Sequence, residues 1–125
     1  MTTVNTTPTT WWQQSLTEVG VRSMEKLLPH DATWEQVLAS GRADLERGLE
    51  RTKWRPTRAQ TVVDIGCGVG RMSQALAEYA GRVVGVDIAP ALLAEAREKN
   101  RAPHVSFEQL DGKNILVKSV AAADA

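Results

Sequence analysis

Asp64, Gly66, Gly68, Gly70 and Arg71 crowd into one stretch, TVVDIGCGVGRM (61–72). A second acidic residue, Asp87, ends the apolar run RVVGVDI further on. Glycines without side chains let a ligand approach the backbone closely. A helix start just beyond them offers main-chain N–H groups. Three ligand classes compete for such a turn. A phosphate-binding P-loop requires a lysine and a hydroxyl after the last glycine, but Arg71 and Met72 follow Gly70. A dinucleotide turn reads G-x-G-x-x-G, and here the position of its third glycine holds Arg71. Asp64 is the stronger objection, because a carboxylate two residues before Gly66 repels a pyrophosphate and suits an ammonium group. The third class is a nucleoside carrying an amino acid and no phosphate.

The elements that must hold these residues can be read from periodicity. TVVDI is a short β-branched run, as buried parallel strands are. Met72, Ala75, Leu76 and Tyr79 recur at helical spacing, which predicts a helix from Arg71 to Ala80 stopped by Gly81. RVVGVDI is a second strand. Pro90 suits a first helical turn, Leu92, Leu93 and Ala96 give the buried face, and Glu95 can pair with Lys99. HVSFEQL is a third strand after Pro103. Strands alternating with helices imply a parallel sheet with right-handed crossovers.

Upstream, residues 1–10 hold six threonines and a proline and are expected to be a disordered tail. Residues 11–55 read as a helical, amphipathic lead-in. Trp12 to Leu28 forms one segment, ended by Pro29. Thr33 is an expected N-cap with Gln36 as its capping-box partner. The helix it opens is expected to break at Ser40-Gly41 and resume from Arg42 to Lys53. Arg55-Pro56-Thr57 is a linker, and residues 59–125 make the α/β domain.

The 125 residues suffice for one domain. Fifteen basic and fifteen acidic side chains balance, which gives no reason to expect a nucleic-acid or acidic-membrane partner. No apolar run is long enough to span a bilayer, and no secretory signal is visible. Cys67 is the single cysteine, so no intrachain disulfide forms. The expected setting is cytoplasmic.

VVDIGCGVGRM followed by VVGVDIAP resembles the class I S-adenosylmethionine-dependent methyltransferases, over about fifty residues. TWEQVLASGRADLERGLE more loosely resembles the helical cap that precedes this domain in bacterial small-molecule members. The resemblance implies a Rossmann-like parallel sheet and S-adenosyl-L-methionine as cofactor. It implies that Asp64 holds the amino group of the methionine part. Gly66 and Gly68 let that part lie against the loop, with Cys67 contributing backbone. Asp87 accepts both ribose hydroxyls, which suits a carboxylate. Ile88 packs on the adenine. Asp111 receives the adenine amino group, with Gly112 beside it.

Each residue also has a plainer reading. Asp111-Gly112 between SFEQL and NILVKSV is the usual signal for a two-residue hairpin. Cys67, near a helix start that can lower a thiol pKa, is also simply a small residue in a tight turn. His30 and His104 read as structural or exposed. Of the four tryptophans, Trp34 is a candidate for the mouth of the site and the others for packing. Arg42 is a candidate for the methionine carboxylate. No catalytic acid or base and no metal-ligand set is singled out.

The resemblance implies a sheet that continues past three strands, and only thirteen residues follow Gly112. The expectation is a domain truncated after its third strand, with TVVDI as an unpaired edge open to a second copy or a complementing chain. The function expected is methyl transfer to a small-molecule acceptor. The alternatives are a non-catalytic binding or assembly module that keeps the fold and, last, an NAD-binding domain.

Overall fold

The computed structural model describes residues 32–113. The expected tail at 1–10, the segment Trp12 to Leu28, His30 and the run after Lys113 lie outside them.

Helix α1 spans Trp34–Thr52. The capping box forms as expected: Gln36 N–H donates to Thr33 Oγ1 at 3.2 Å, and Thr33 N–H donates to Gln36 Oε1 at 2.8 Å. The expected break at Ser40-Gly41 does not occur, and α1 runs through it without interruption. Ser40 Oγ donates back to Val37 O at 2.7 Å, so its hydroxyl does not compete for another conformation. Gly41 lies on the buried stripe with Val37, Leu45 and Leu49. A Cβ there would sit 2.5 Å from Arg71 O. This glycine serves close helix packing, which a sequence pattern reads as a break.

Strands β1 (Thr61–Ile65), β2 (Arg82–Asp87) and β3 (Val105–Gln109) pair in that order, all parallel. Helices α2 (Arg71–Leu76) and α3 (Pro90–Lys99) make the crossovers, so the α/β Rossmann-like architecture is as expected. In register, Asp64 lies beside Gly85, which lies beside Phe107; Val62 and Val83 occupy the row below. One face therefore carries Val62, Val83, Val105 and Phe107, and it packs with Leu45 and Leu49 of α1, Ala75 and Leu76 of α2, and Leu93 and Ala96 of α3. The other face carries Val63, Val84, Val86 and the following Leu110 as a separate cluster. Pro90 starts α3, and Lys99 pairs with Glu95. No described helix is long and apolar enough to cross a membrane.

Helix α2 ends at Leu76, earlier than the expected Ala80. Its last turn tightens, with Glu78 N–H on Ala75 O at 3.1 Å and Tyr79 N–H on Leu76 O at 3.0 Å. The Arg58 guanidinium then takes the orphan carbonyls of Ala77, Glu78 and Ala80. Gly81 is needed because a Cβ would meet Arg58 O at 2.0 Å. It is not a left-handed cap.

Candidate functional site

The site grows out of the carboxyl ends of β1 and β2, where parallel sheets bind ligands. Asp64 and Asp87 lie on the helix-covered face, because Asp64 is the register partner of Gly85 and Asp87 lies two residues beyond it on β2. Beyond Ile65 the pairing carries on into the turn. The N–H groups of Gly66 and Cys67 both donate to Val86 O, at 2.8 and 3.0 Å. Gly70 N–H closes the turn on Cys67 O at 2.9 Å.

Gly66, Gly68 and Gly70 all take left-handed φ, at 74°, 56° and 86°. Two of them differ in what surrounds them. A Cβ on Gly70 would meet Phe107 at 2.8 Å, so this glycine is demanded by the core. A Cβ on Gly66 would meet nothing within 4 Å, so the space beside it is open. That opening belongs to a pocket of about 110 Å³ lined by Asp64, Gly66, Cys67, Gly68, Val69, Arg71 and Met72.

Asp64 is half-buried, and its Oδ2 accepts the Ser73 hydroxyl at 2.6 Å. Burial pushes its carboxyl above the usual aspartate range. The Ser73 bond and the Arg71 charge oppose this, and the Asp87 charge adds to it. Asp87 is 8% exposed. Its Oδ2 accepts Gly68 N–H at 2.9 Å and its Oδ1 accepts Ala89 N–H at 3.0 Å. A carboxylate has about four acceptor positions, so two further hydroxyls can still be accepted.

The eight residues read from the sequence fall into two groups. Asp64, Gly66, Cys67 and Gly68 line one pocket, and Asp87 is bonded to it through Gly68. Ile88, half-buried, follows directly. Asp111 and Gly112 lie past the end of β3, whose Gln109 is the register partner of Asp87. Asp111 Oδ1 accepts Lys113 N–H at 2.8 Å, and Gly112 has φ 80°. That is local turn chemistry, at the same carboxyl end of the strands as the other acids.

Two expectations change, those for Arg42 and Trp34, while Cys67 keeps its plainer reading. The Cys67 thiol is not activated by the helix start. Burial, then the Asp64 and Asp87 charges, push it far above the usual range, so it stays protonated. Arg42 does not reach the pocket; its Nε donates to Glu78 at 3.1 Å on the exposed side of α1 and α2. The arginine that lines the pocket is Arg71, whose Nη1 donates to Asp44 at 2.7 Å. Trp34 packs against Val69, Ala89 and Leu92, with Lys99 Nζ 4.8 Å from its ring centroid. It backs the glycine loop and is absent from the pocket lining.

Ser73, Gly85 and Asp44 were not read as site residues. Gly85 leaves room for Phe107 and Cys67, since a Cβ there would meet them at 2.7 and 3.0 Å. A glycine inside an apolar strand is the signal for such an approach. A serine on the otherwise apolar buried side of α2, with Ala75 and Leu76, is the signal for Ser73.

Comparison with known proteins identifies the family. Residues 62–124, half of the chain, match the family described as a methyltransferase domain. Over 66 residues the chain is 33% identical to the rRNA adenine N-6-methyltransferase of Streptomyces fradiae, covering 53% of this chain and 21% of that protein. Over 51 residues it is 43% identical to the ubiquinone biosynthesis O-methyltransferase of Pseudomonas paraeruginosa, covering 38% and 22%. It superposes on phosphoethanolamine N-methyltransferase 1 of Haemonchus contortus, solved with phosphoethanolamine and S-adenosylhomocysteine. The TM-score is 0.62 at 28% identity, over 86% of this chain and 22% of that one. The chain thus spans about a fifth of the length of these relatives. It belongs to the class I S-adenosylmethionine-dependent methyltransferase family.

Proposed function

We propose that this chain forms the S-adenosylmethionine-binding part of an enzyme that methylates a small-molecule acceptor. The observation that carries this reading is the pair of withdrawn carboxylates, Asp64 and Asp87, on either side of an open glycine turn. S-adenosylmethionine supplies the methyl group, and the chain's own residues bind and orient it. Asp64 takes the ammonium. Gly66, Cys67 and Gly68 give the methionine part its bed. Asp87 uses its remaining acceptor positions for the ribose hydroxyls. Ile88 lies on the adenine, and Asp111, with Gly112, takes the adenine amino group. The expected setting remains the cytoplasm.

Balanced charge, fifteen basic against fifteen acidic side chains, supports a small acceptor over a nucleic acid. The Streptomyces fradiae relative, named for rRNA, favours RNA as the second reading. A non-catalytic assembly module would bind the cofactor equally well and transfer nothing. An NAD-binding role is disfavoured because Asp64 lines the pocket where a pyrophosphate would lie.

Calorimetry with S-adenosylhomocysteine and NAD tests the ligand. Heat with the first and none with the second is expected. Methyl release to a panel of small acceptors and to RNA then separates the acceptor readings.

A further inference from the structure

We propose that Ser73 is a positioning residue, holding one oxygen of Asp64 so that the carboxylate presents its charge to the ammonium group of the ligand. This rests on the cofactor-site reading above and assigns a role to a residue outside the glycine turn.

Ser73 is the third residue of α2 and is 0% exposed. Its hydroxyl is 2.6 Å from Asp64 Oδ2. That is the only hydrogen bond shown for this carboxylate among the described residues. Asp64 also lines the pocket. Asp64 is half-buried, and an acid partly withdrawn from water ordinarily takes a cation as its partner, which neutralises it in place. The partner here is a neutral donor. It fixes the rotamer and satisfies one oxygen, yet leaves the negative charge for whatever enters. The groups facing Asp64 are consistent with this. Arg71, from α2, acts on it through space while its Nη1 is held by Asp44 of α1. Asp87, from the end of β2, adds a like charge, and the thiol of Cys67 is neutral. A serine that merely filled the core would be indifferent to the ligand's amino group.

The test uses the full chain and two ligands, S-adenosylhomocysteine and its analogue lacking the amino group. Ser73→Ala, nearly equal in volume, is expected to weaken S-adenosylhomocysteine binding about tenfold, the effect of losing a bond to a charged group. The deaminated analogue should bind parent and variant alike. Binding of S-adenosylhomocysteine by Ser73→Ala should also fall off at a higher pH than in the parent, because the lost bond had favoured the charged carboxylate. In an Asp64→Asn background the Ser73 substitution should have no further effect. Equal losses for both ligands, or an undiminished Ser73 effect in the Asp64→Asn background, would overturn the proposal and leave Ser73 a packing residue. Ser73→Cys, with its weaker donor, gives the same comparison if the alanine variant does not fold. If the parent binds no S-adenosylhomocysteine, the site reading itself fails and the positioning role fails with it.

Discussion

The main-chain N–H of Gly68 donates to Oδ2 of Asp87 at 2.9 Å, so the acid at the end of β2 holds the turn at the end of β1. Its other oxygen holds Ala89 at 3.0 Å, where the chain enters α3. One side chain thus sets the loop, and in the proposed site it also accepts the ribose hydroxyls. Asp87→Ala should remove both roles. S-adenosylhomocysteine affinity is expected to fall by at least about a hundredfold, and the unfolding temperature should drop because two buried amides lose their acceptor. Calorimetry and a thermal melt check this, and parental affinity in the variant contradicts it.

Asp64 sets a pH dependence whose sign is fixed. Burial raises its carboxyl above the ordinary value, so its contribution to stability is full below the unfolded-state pKa. It is lost as pH rises through the raised, folded-state value. Between those two values the empty protein loses stability with rising pH on account of this group. The ligand ammonium reverses the effect, because it pairs with the charged form. The rise in unfolding temperature given by S-adenosylhomocysteine should therefore grow across that window. Asp64→Asn should make the empty protein more stable at neutral pH and abolish that rise. Melts with and without ligand across acid to neutral pH decide it. A ligand shift that shrinks as pH rises is the contrary result.

Two glycines of α1 should respond to alanine with opposite signs. At Gly41 a Cβ would lie 2.5 Å from Arg71 O, a backbone atom that cannot swing aside. Gly41→Ala is expected to destabilise by about 1–3 kcal/mol, as overpacking does. At Gly48 a Cβ meets nothing within 4 Å. Gly48→Ala should stabilise by roughly 0.5–1 kcal/mol through helix propensity. Denaturant unfolding of the two variants measures both, and equal signs contradict the packing.

The alternation of strand, glycine turn and helix was legible because each element carries a local signal. β-branched runs marked β1 and β2, Pro90 opened α3, and Thr33 with Gln36 capped α1. Asp64, Gly66, Cys67 and Gly68 were found together because one stretch of chain holds them all. What the sequence hid depends on contacts between distant segments. Gly41 looks like a breaker until Arg71 is seen against it, and Arg42 looks available until Glu78 is seen to hold it. Ser73 lies nine residues from Asp64, and only the folding of α2 back onto β1 brings them within 2.6 Å.

The side of β1 away from β2 carries its own expectation. Among the described strands β1 pairs only with β2, and Ile65 at its end is 61% exposed. An apolar edge of this kind recruits another strand. The isolated 125-residue chain should self-associate in sedimentation experiments, and Ile65→Lys should weaken that association. A parent that stays a monomer up to high concentration contradicts this.

The most direct measurement is calorimetric titration of the folded 125-residue chain with S-adenosylhomocysteine, beside Asp87→Ala. A saturable heat at one site per chain, lost in the variant, is expected. No heat from folded parent, or the same heat from both proteins, would contradict the cofactor site.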